Sequence, residues 1–213
     1  MASVLYNATF PIPVGLVTLP GDLFVPENAT GLVIFSHGSG SSRLSTRNRY
    51  VAKVLQDNGI ATLLFDLLTP EEDQDYHKRF EISLLTERLK TVSKWASENE
   101  HTRHLSIGFF GASTGAASAL GAAAGLGNVV KAVVSRGGRP DMAIPVLPNV
   151  KAPVLLLVGS NDEGVIELNE KALAYLSGTK ELKLIPGATH LFEEPGTLEL
   201  VASLAAVWFG KYL

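Results

Sequence analysis

The sequence predicts an α/β fold, with a mostly parallel, twisted sheet and helices on both faces. Three observations carry this. The runs GLVIFSH (31–37), IATLLFDL (60–67), HLSIGFFGA (104–112) and APVLLLVGS (152–160) are short and almost wholly apolar. Strands buried on both faces read this way, whereas half-exposed strands alternate. Segments of helical spacing lie between these runs, which is the βαβ alternation of a parallel sheet. No linker, repeat or low-complexity tract divides the 213 residues, so one domain over 1–213 is expected.

The elements follow in order. Residues 3–10 and 15–25 read as two opening strands separated by Pro11 and Pro13. After the strand at 31–37 and a glycine-rich loop, 46–58 reads as a helix with Tyr50, Val51, Val54 and Leu55 on one face. Gly59 stands where a helix-terminating glycine belongs. The strand at 60–67 precedes an amphipathic helix over 80–98, with Ile82, Leu85, Leu89, Val92 and Trp95 in register. The strand at 104–112 leads into a helix over 114–126. Strands at 130–138, 152–160 and 180–188, and helices at about 165–176 and 196–212, complete the chain.

Composition narrows the function. Hydrophobic residues make up 46%, and 18 Lys and Arg against 21 Asp and Glu leave a net charge of −3. Such a balance lacks the basic footprint of a nucleic-acid partner. There is no cysteine, so a disulfide, a thiolate metal site and a cysteine nucleophile are excluded. Neither a cofactor nor a metal is implied. Residues 1–15 carry no Lys or Arg and do not read as a secretory signal. The uncharged stretch 107–130 splits at Ser113 into strand-like and helix-like halves, so it reads as buried structure and not as a membrane span. A cytoplasmic protein without membrane attachment is expected, and a homodimer is open.

In parallel sheets, ligands bind beyond the carboxyl ends of the strands. The polar residues there are few. His37-Gly38-Ser39-Gly40-Ser41-Ser42-Arg43 follows one strand, Ser113 another, Arg136-Gly137-Gly138-Arg139 a third, Asn161-Asp162-Glu163 a fourth, and His190 the last. Gly111-Ala112-Ser113-Thr114-Gly115 fits G-x-S-x-G, in which a strained strand-to-helix turn lifts a serine hydroxyl above the sheet. With 20 glycines in the chain the pattern alone is weak. Its position between strand and helix strengthens it, as does the order Ser113, Asp162, His190. A serine hydroxyl needs a base, and the base needs a carboxylate to fix its tautomer. The helix starting at Thr114 aims its first amides at a developing oxyanion.

The other candidates have plainer roles. His77, His101 and His104 lie in charged stretches and read as solvated surface. His37 reads as a loop-shaping residue. Glu163 and Asp141 compete with Asp162 for the acid's place, but Asp141 reads better as a helix cap after Pro140. Glu71, Glu72, Asp73 and Asp75 read as a solvated charge run in a loop over 67–80. Arg43, Arg136 and Arg139 either hold an anionic substrate group or brace loops.

HGSGSSR, GASTG, GSNDEGV and GATHLF together resemble the α/β-hydrolases, and within them the small, capless dienelactone hydrolase-like branch. The resemblance covers the chain from residue 31 to its end. It implies a triad of Ser113, His190 and Asp162, and an oxyanion hole from the backbone N–H groups of Thr114 and Ser39. Dienelactone hydrolases of that branch use cysteine where this chain has Ser113, so the resemblance does not extend to dienelactone as substrate. The serine implies hydrolysis of a small-molecule carboxylic ester through an acyl-enzyme, with thioesterase, peptidase or acyltransferase chemistry as variants. Two other readings compete. In a nucleotide-binding module, Gly38-x-Gly40 would meet the phosphates and Asp66 the ribose, but Arg43 stands where the third glycine belongs. An inactive hydrolase fold used for binding would not need a complete triad.

Overall fold

The computed structural model describes residues 4–213. Its eight strands form one sheet in the order β1-β2-β4-β3-β5-β6-β7-β8. These are β1 (Val4–Val14), β2 (Val17–Pro26), β3 (Gly31–Ser36), β4 (Ala61–Phe65), β5 (Ser106–Ala112), β6 (Val130–Arg136), β7 (Val154–Gly159) and β8 (Lys180–Ile185). From β4 to β8 every neighbouring pair is parallel. The β1–β2 hairpin adds antiparallel to β4. The helices are α1 (Thr46–Asp57), α2 (Ile82–Glu98), α3 (Thr114–Leu126), α4 (Glu163–Tyr175) and α5 (Thr197–Tyr212).

The apolar runs divide their side chains between two cores. In β5, Ile107 and Phe109 join the core under α2, α3 and α4, while Phe110 joins the one under α1 and α5. Full burial of each such side chain is worth ~1.5–3 kcal/mol, and this two-sided burial is why the runs do not alternate. The edge strand β8 is the exception. Lys180, Glu181 and Lys183 are exposed on it, and charges on an edge discourage pairing with another chain.

Pro11 and Pro13 do not separate two strands as expected. β1 runs through both, with Pro11 opposite Pro20, and turns at Gly15 (φ +61°). β1 is the outer strand of the sheet. Residues two apart face the same side, so prolines there remove donors only from an open edge. The expected first residue of that strand, Ser3, lies outside the described residues. The other boundaries agree to within a few residues. Gly59 takes φ +76° at the end of α1, as its position implied. On α1 the buried face is Asn48, Val51, Ala52 and Leu55, and Tyr50 is exposed.

Among the described residues no cap domain covers the carboxyl edge. Residues Pro140–Asn149 form a 3-10 helix that packs on α3 and α4. Among the described residues no helix is long and apolar enough to cross a membrane. The uncharged segment 107–130 is instead β5, the elbow and α3, whose small residues are nearly all buried.

Candidate active site

Ser113 sits at the corner between β5 and α3 with φ +51° and ψ −124°. A non-glycine residue reaches this region only under strain of ~1–3 kcal/mol, held by its surroundings. Three backbone bonds hold it. Ser113 N–H donates to the Arg136 carbonyl at 3.2 Å, and the Ser113 carbonyl accepts from Arg139 at 3.0 Å and Ala116 at 3.1 Å. The flanking glycines are demanded by close approach. A Cβ on Gly111 would lie 2.5 Å from Ala116 Cα, and one on Gly115 would collide with the Ser36 carbonyl oxygen.

The loops after β7 and β8 are joined to each other. Ser160 N–H donates to the Ile185 carbonyl at 3.0 Å, Asn161 N–H to the Ala188 carbonyl at 2.9 Å, and Gly187 N–H to Ser160 Oγ at 2.8 Å. These bonds set Asp162 beside His190, and His190 Nδ1 meets Asp162 Oδ2 at 2.7 Å. The carboxylate only accepts, so Nδ1 carries the proton and Nε2 is left with its lone pair. Phe192, buried and at φ +56°, fastens the His190 loop into the core. Thr189 closes the loop from outside. Its hydroxyl and N–H both donate to Glu194, which holds that carboxyl below its usual range.

Ser113 and His190 line one cleft of about 280 Å³, shared with Gly38, Ser39, Arg47 and Arg136. Ser113 and His190 form no hydrogen bond, a contact that commonly tightens only with substrate. A larger cleft, about 720 Å³, lies between the β1–β2 hairpin and α1, away from these residues.

The expected oxyanion donors differ in state. Thr114 is the first residue of α3, so its N–H has no acceptor four residues back. Ser39 N–H is already engaged, donating to Thr114 Oγ1 at 2.9 Å. Behind them, His37 Nε2 accepts from Leu67 N–H at 3.0 Å, so its Nδ1 donates to the Gly38 carbonyl at 2.9 Å. Burial lowers the pKa of His37 and keeps it in this neutral, loop-holding form.

The arginines separate into braces and a site residue. Arg43 donates its N–H and Nη1 to Asp66 at 2.7 and 2.6 Å and lies 3.5 Å from Asp22. Arg139 forks onto Asp141 at 2.8 and 2.9 Å, which raises its pKa. Asp141 is therefore an ion-pair partner and not the cap that its place after Pro140 suggested, because the adjacent guanidinium captures the carboxylate. Asp66 is likewise spent on Arg43, which removes the ribose ligand of the nucleotide reading. Arg136 alone of the three lines the cleft.

Two surface readings are also corrected. Glu72 accepts two bonds from Arg88, both at 2.7 Å, and the Arg88 side-chain bond lowers its pKa to about 2. Asp73 pairs with Arg79 at 2.9 Å. The supposed solvated charge run is thus an anchor for its loop, since the nearly buried Arg88 needs a countercharge. Glu71 and Asp75 are exposed as expected. His101 is half-buried and stacks on Tyr6 at 3.8 Å instead of standing in solvent. Glu163 opens α4 on the surface and does not contest the place of Asp162.

The sheet order and the site at its carboxyl edge define a hydrolase of the α/β-hydrolase fold. More narrowly, the chain belongs to the dienelactone hydrolase family, whose model matches residues 19–207. A dienelactone hydrolase from Anabaena variabilis is 55% identical, and its crystal structure superposes with a TM-score of 0.96 over 98% of each chain. Est1E from Butyrivibrio proteoclasticus shares the fold at 18% identity, with a TM-score of 0.82 over 95% of this chain and 98% of its own. A Mycobacterium tuberculosis protein named "Putative phosphoribosyl transferase" is 56% identical over 199 residues. That match covers 93% of this chain but only 45% of the relative, so the chain spans less than half the relative's length.

Proposed function

We infer that the protein hydrolyses a carboxylic ester by way of an acyl-serine. One observation carries the reading. Ser113, held strained at the corner of β5 and α3, shares a cleft with a histidine whose Nδ1 is fixed by Asp162 at 2.7 Å. Ser113 Oγ attacks the ester carbonyl and passes its proton to His190 Nε2. The tetrahedral oxyanion forms against the Thr114 N–H, and Ser39 N–H joins by turning from Thr114 Oγ1. Collapse breaks the C–O bond, and His190 returns the proton to the departing alcohol. Water then repeats the sequence and releases the acid. Asp162 keeps the imidazole in the required tautomer and stabilises its charged form.

The transferase name of the mycobacterial relative describes a protein of which the match covers 45%.

Incubation with a fluorophosphonate probe tests the reading, with Ser113→Ala as control. Labelling of the wild type at Ser113, together with turnover of p-nitrophenyl acetate that the control lacks, is expected. An unlabelled wild type removes Ser113 as nucleophile.

A further inference from the structure

Arg136 is the one arginine of the cleft whose charge the protein leaves uncompensated among the described residues. The residue is 8% exposed, and both its Nε and Nη1 are buried without a hydrogen-bond partner. The guanidinium carbon lies 5.9 Å from the centre of the Phe192 ring. Burial, with Arg47 adding repulsion, lowers its pKa to about 10, so it remains charged at neutral pH. Buried charges are ordinarily paired, because leaving water costs several kcal/mol per ion.

The rest of the cleft has the same sign. Arg47 faces it with a buried, unpartnered Nε, and its Nη1 meets the exposed Glu193 at 3.1 Å. Ser45, the N-cap of α1, and Arg47 and Asn48 of its first turn line the cleft; the Ser45 hydroxyl accepts from Asn48 N–H at 3.3 Å, and the first turn contains no acidic residue. A helix start of this kind attracts anions. Ser39 and Ser41 line the same space. Asp162 is spent on His190, so it does not neutralise this end.

We propose that the cleft beside Ser113 contains a phosphate-binding subsite formed by Arg136, Arg47 and the start of α1, and that the ester substrate carries a phosphate group. The lining chooses phosphate over carboxylate. Residues with unpartnered N–H groups, Arg136 and Arg47, line the cleft together with Ser39, Ser41 and the start of α1. A tetrahedral group with three outer oxygens meets such donors, whereas a planar carboxylate presents two. The subsite rests on the esterase reading of the same cleft only for what is attached to the phosphate.

The test separates the two. Inorganic phosphate titrated calorimetrically into the full-length Ser113→Ala protein should bind at a single saturable site. Adding Arg136→Met should weaken it ~10- to 100-fold, the worth of hydrogen bonds to a charged group. Arg47→Met should weaken it less. Arg139→Met, whose guanidinium belongs to Asp141, should leave it unchanged. Succinate should bind at least ~10-fold more weakly than phosphate if the tetrahedral geometry is what the donors select. In the wild type, phosphate should compete with p-nitrophenyl acetate. Absent phosphate binding, binding that survives Arg136→Met, succinate binding equal to phosphate, or non-competitive inhibition would each overturn the subsite. Should Arg136→Met not fold, Arg47→Met and the competition pattern decide. Ester turnover without phosphate competition leaves the esterase standing and removes the subsite. Arg136-dependent phosphate binding without turnover does the reverse.

Discussion

Asp162→Asn is the sharpest test of the chemistry. The perturbation removes one charge and keeps the shape. In the native protein the carboxylate can only accept from His190 Nδ1, at 2.7 Å. An asparagine can turn its amide and donate instead, which places the imidazole proton on Nε2, where it cannot receive the Ser113 proton. The charge loss adds to this. An imidazolium and a carboxylate about 4 Å apart attract by ~4 kcal/mol at an effective dielectric of ~20. The side chains are 40% and 17% exposed, and solvent screening reduces that figure to ~2–3 kcal/mol. Together the two effects predict a fall in kcat of ~10²–10⁴, with KM changed by less than about threefold. The assay is steady-state hydrolysis of p-nitrophenyl acetate, with circular dichroism to show an intact fold. A variant within about fivefold of wild-type kcat would refute the reasoning, because it would mean that the 2.7 Å contact does not orient the base.

Three more outcomes follow from the same geometry. Ser113→Gly should abolish turnover and raise thermal stability, because glycine takes φ +51° without the ~1–3 kcal/mol strain of serine; a lower melting temperature would show that the elbow is not strained. Arg136→Met should also stabilise the fold, by ~1–3 kcal/mol in urea unfolding, since it replaces an uncompensated buried charge with an apolar side chain of similar length; destabilisation would mean the charge has a partner in the protein. Glu72 has a folded pKa lowered from 4.5 to about 2 by Arg88, so its contribution is present above 4.5 and is lost as pH falls towards 2. That amounts to ~3 kcal/mol, and Glu72→Gln should flatten the wild-type loss of stability across that acid window; identical pH profiles would count against it.

Much of this protein was legible from its sequence because the responsible forces are local or periodic. Continuous apolar runs signalled strands buried on both faces, as Phe109 and Phe110 are in opposite cores. The residue after each run then marked the carboxyl edge, and so the order of Ser113, Asp162 and His190 along it. Most errors fell where a partner distant in sequence decides; Asp141 is the exception, taken by Arg139 two positions before it. The solvated reading of Glu72 failed because Arg88, sixteen positions on, is nearly buried and takes its carboxylate. Pro11 and Pro13 looked like breaks because nothing in the sequence identifies β1 as an open edge. Arg43, Arg136 and Arg139 were indistinguishable as residue types.

The sequence by itself determined the parallel α/β frame and the chemical candidates, since strand periodicity, the elbow glycines and residue order are written along one chain. Only the tertiary structure decided which arginine keeps its charge for a ligand. Asp66, twenty-three positions on, lies beside Arg43, and Asp141 lies beside its near neighbour Arg139, whereas among the described residues no carboxylate pairs with Arg136 at the end of its strand. Tertiary placement also turned Ser39 N–H towards Thr114 Oγ1, seventy-five residues away. Pairing of charges and donors is a short-range force acting across long sequence separations, so it becomes readable only once the chain has closed those distances.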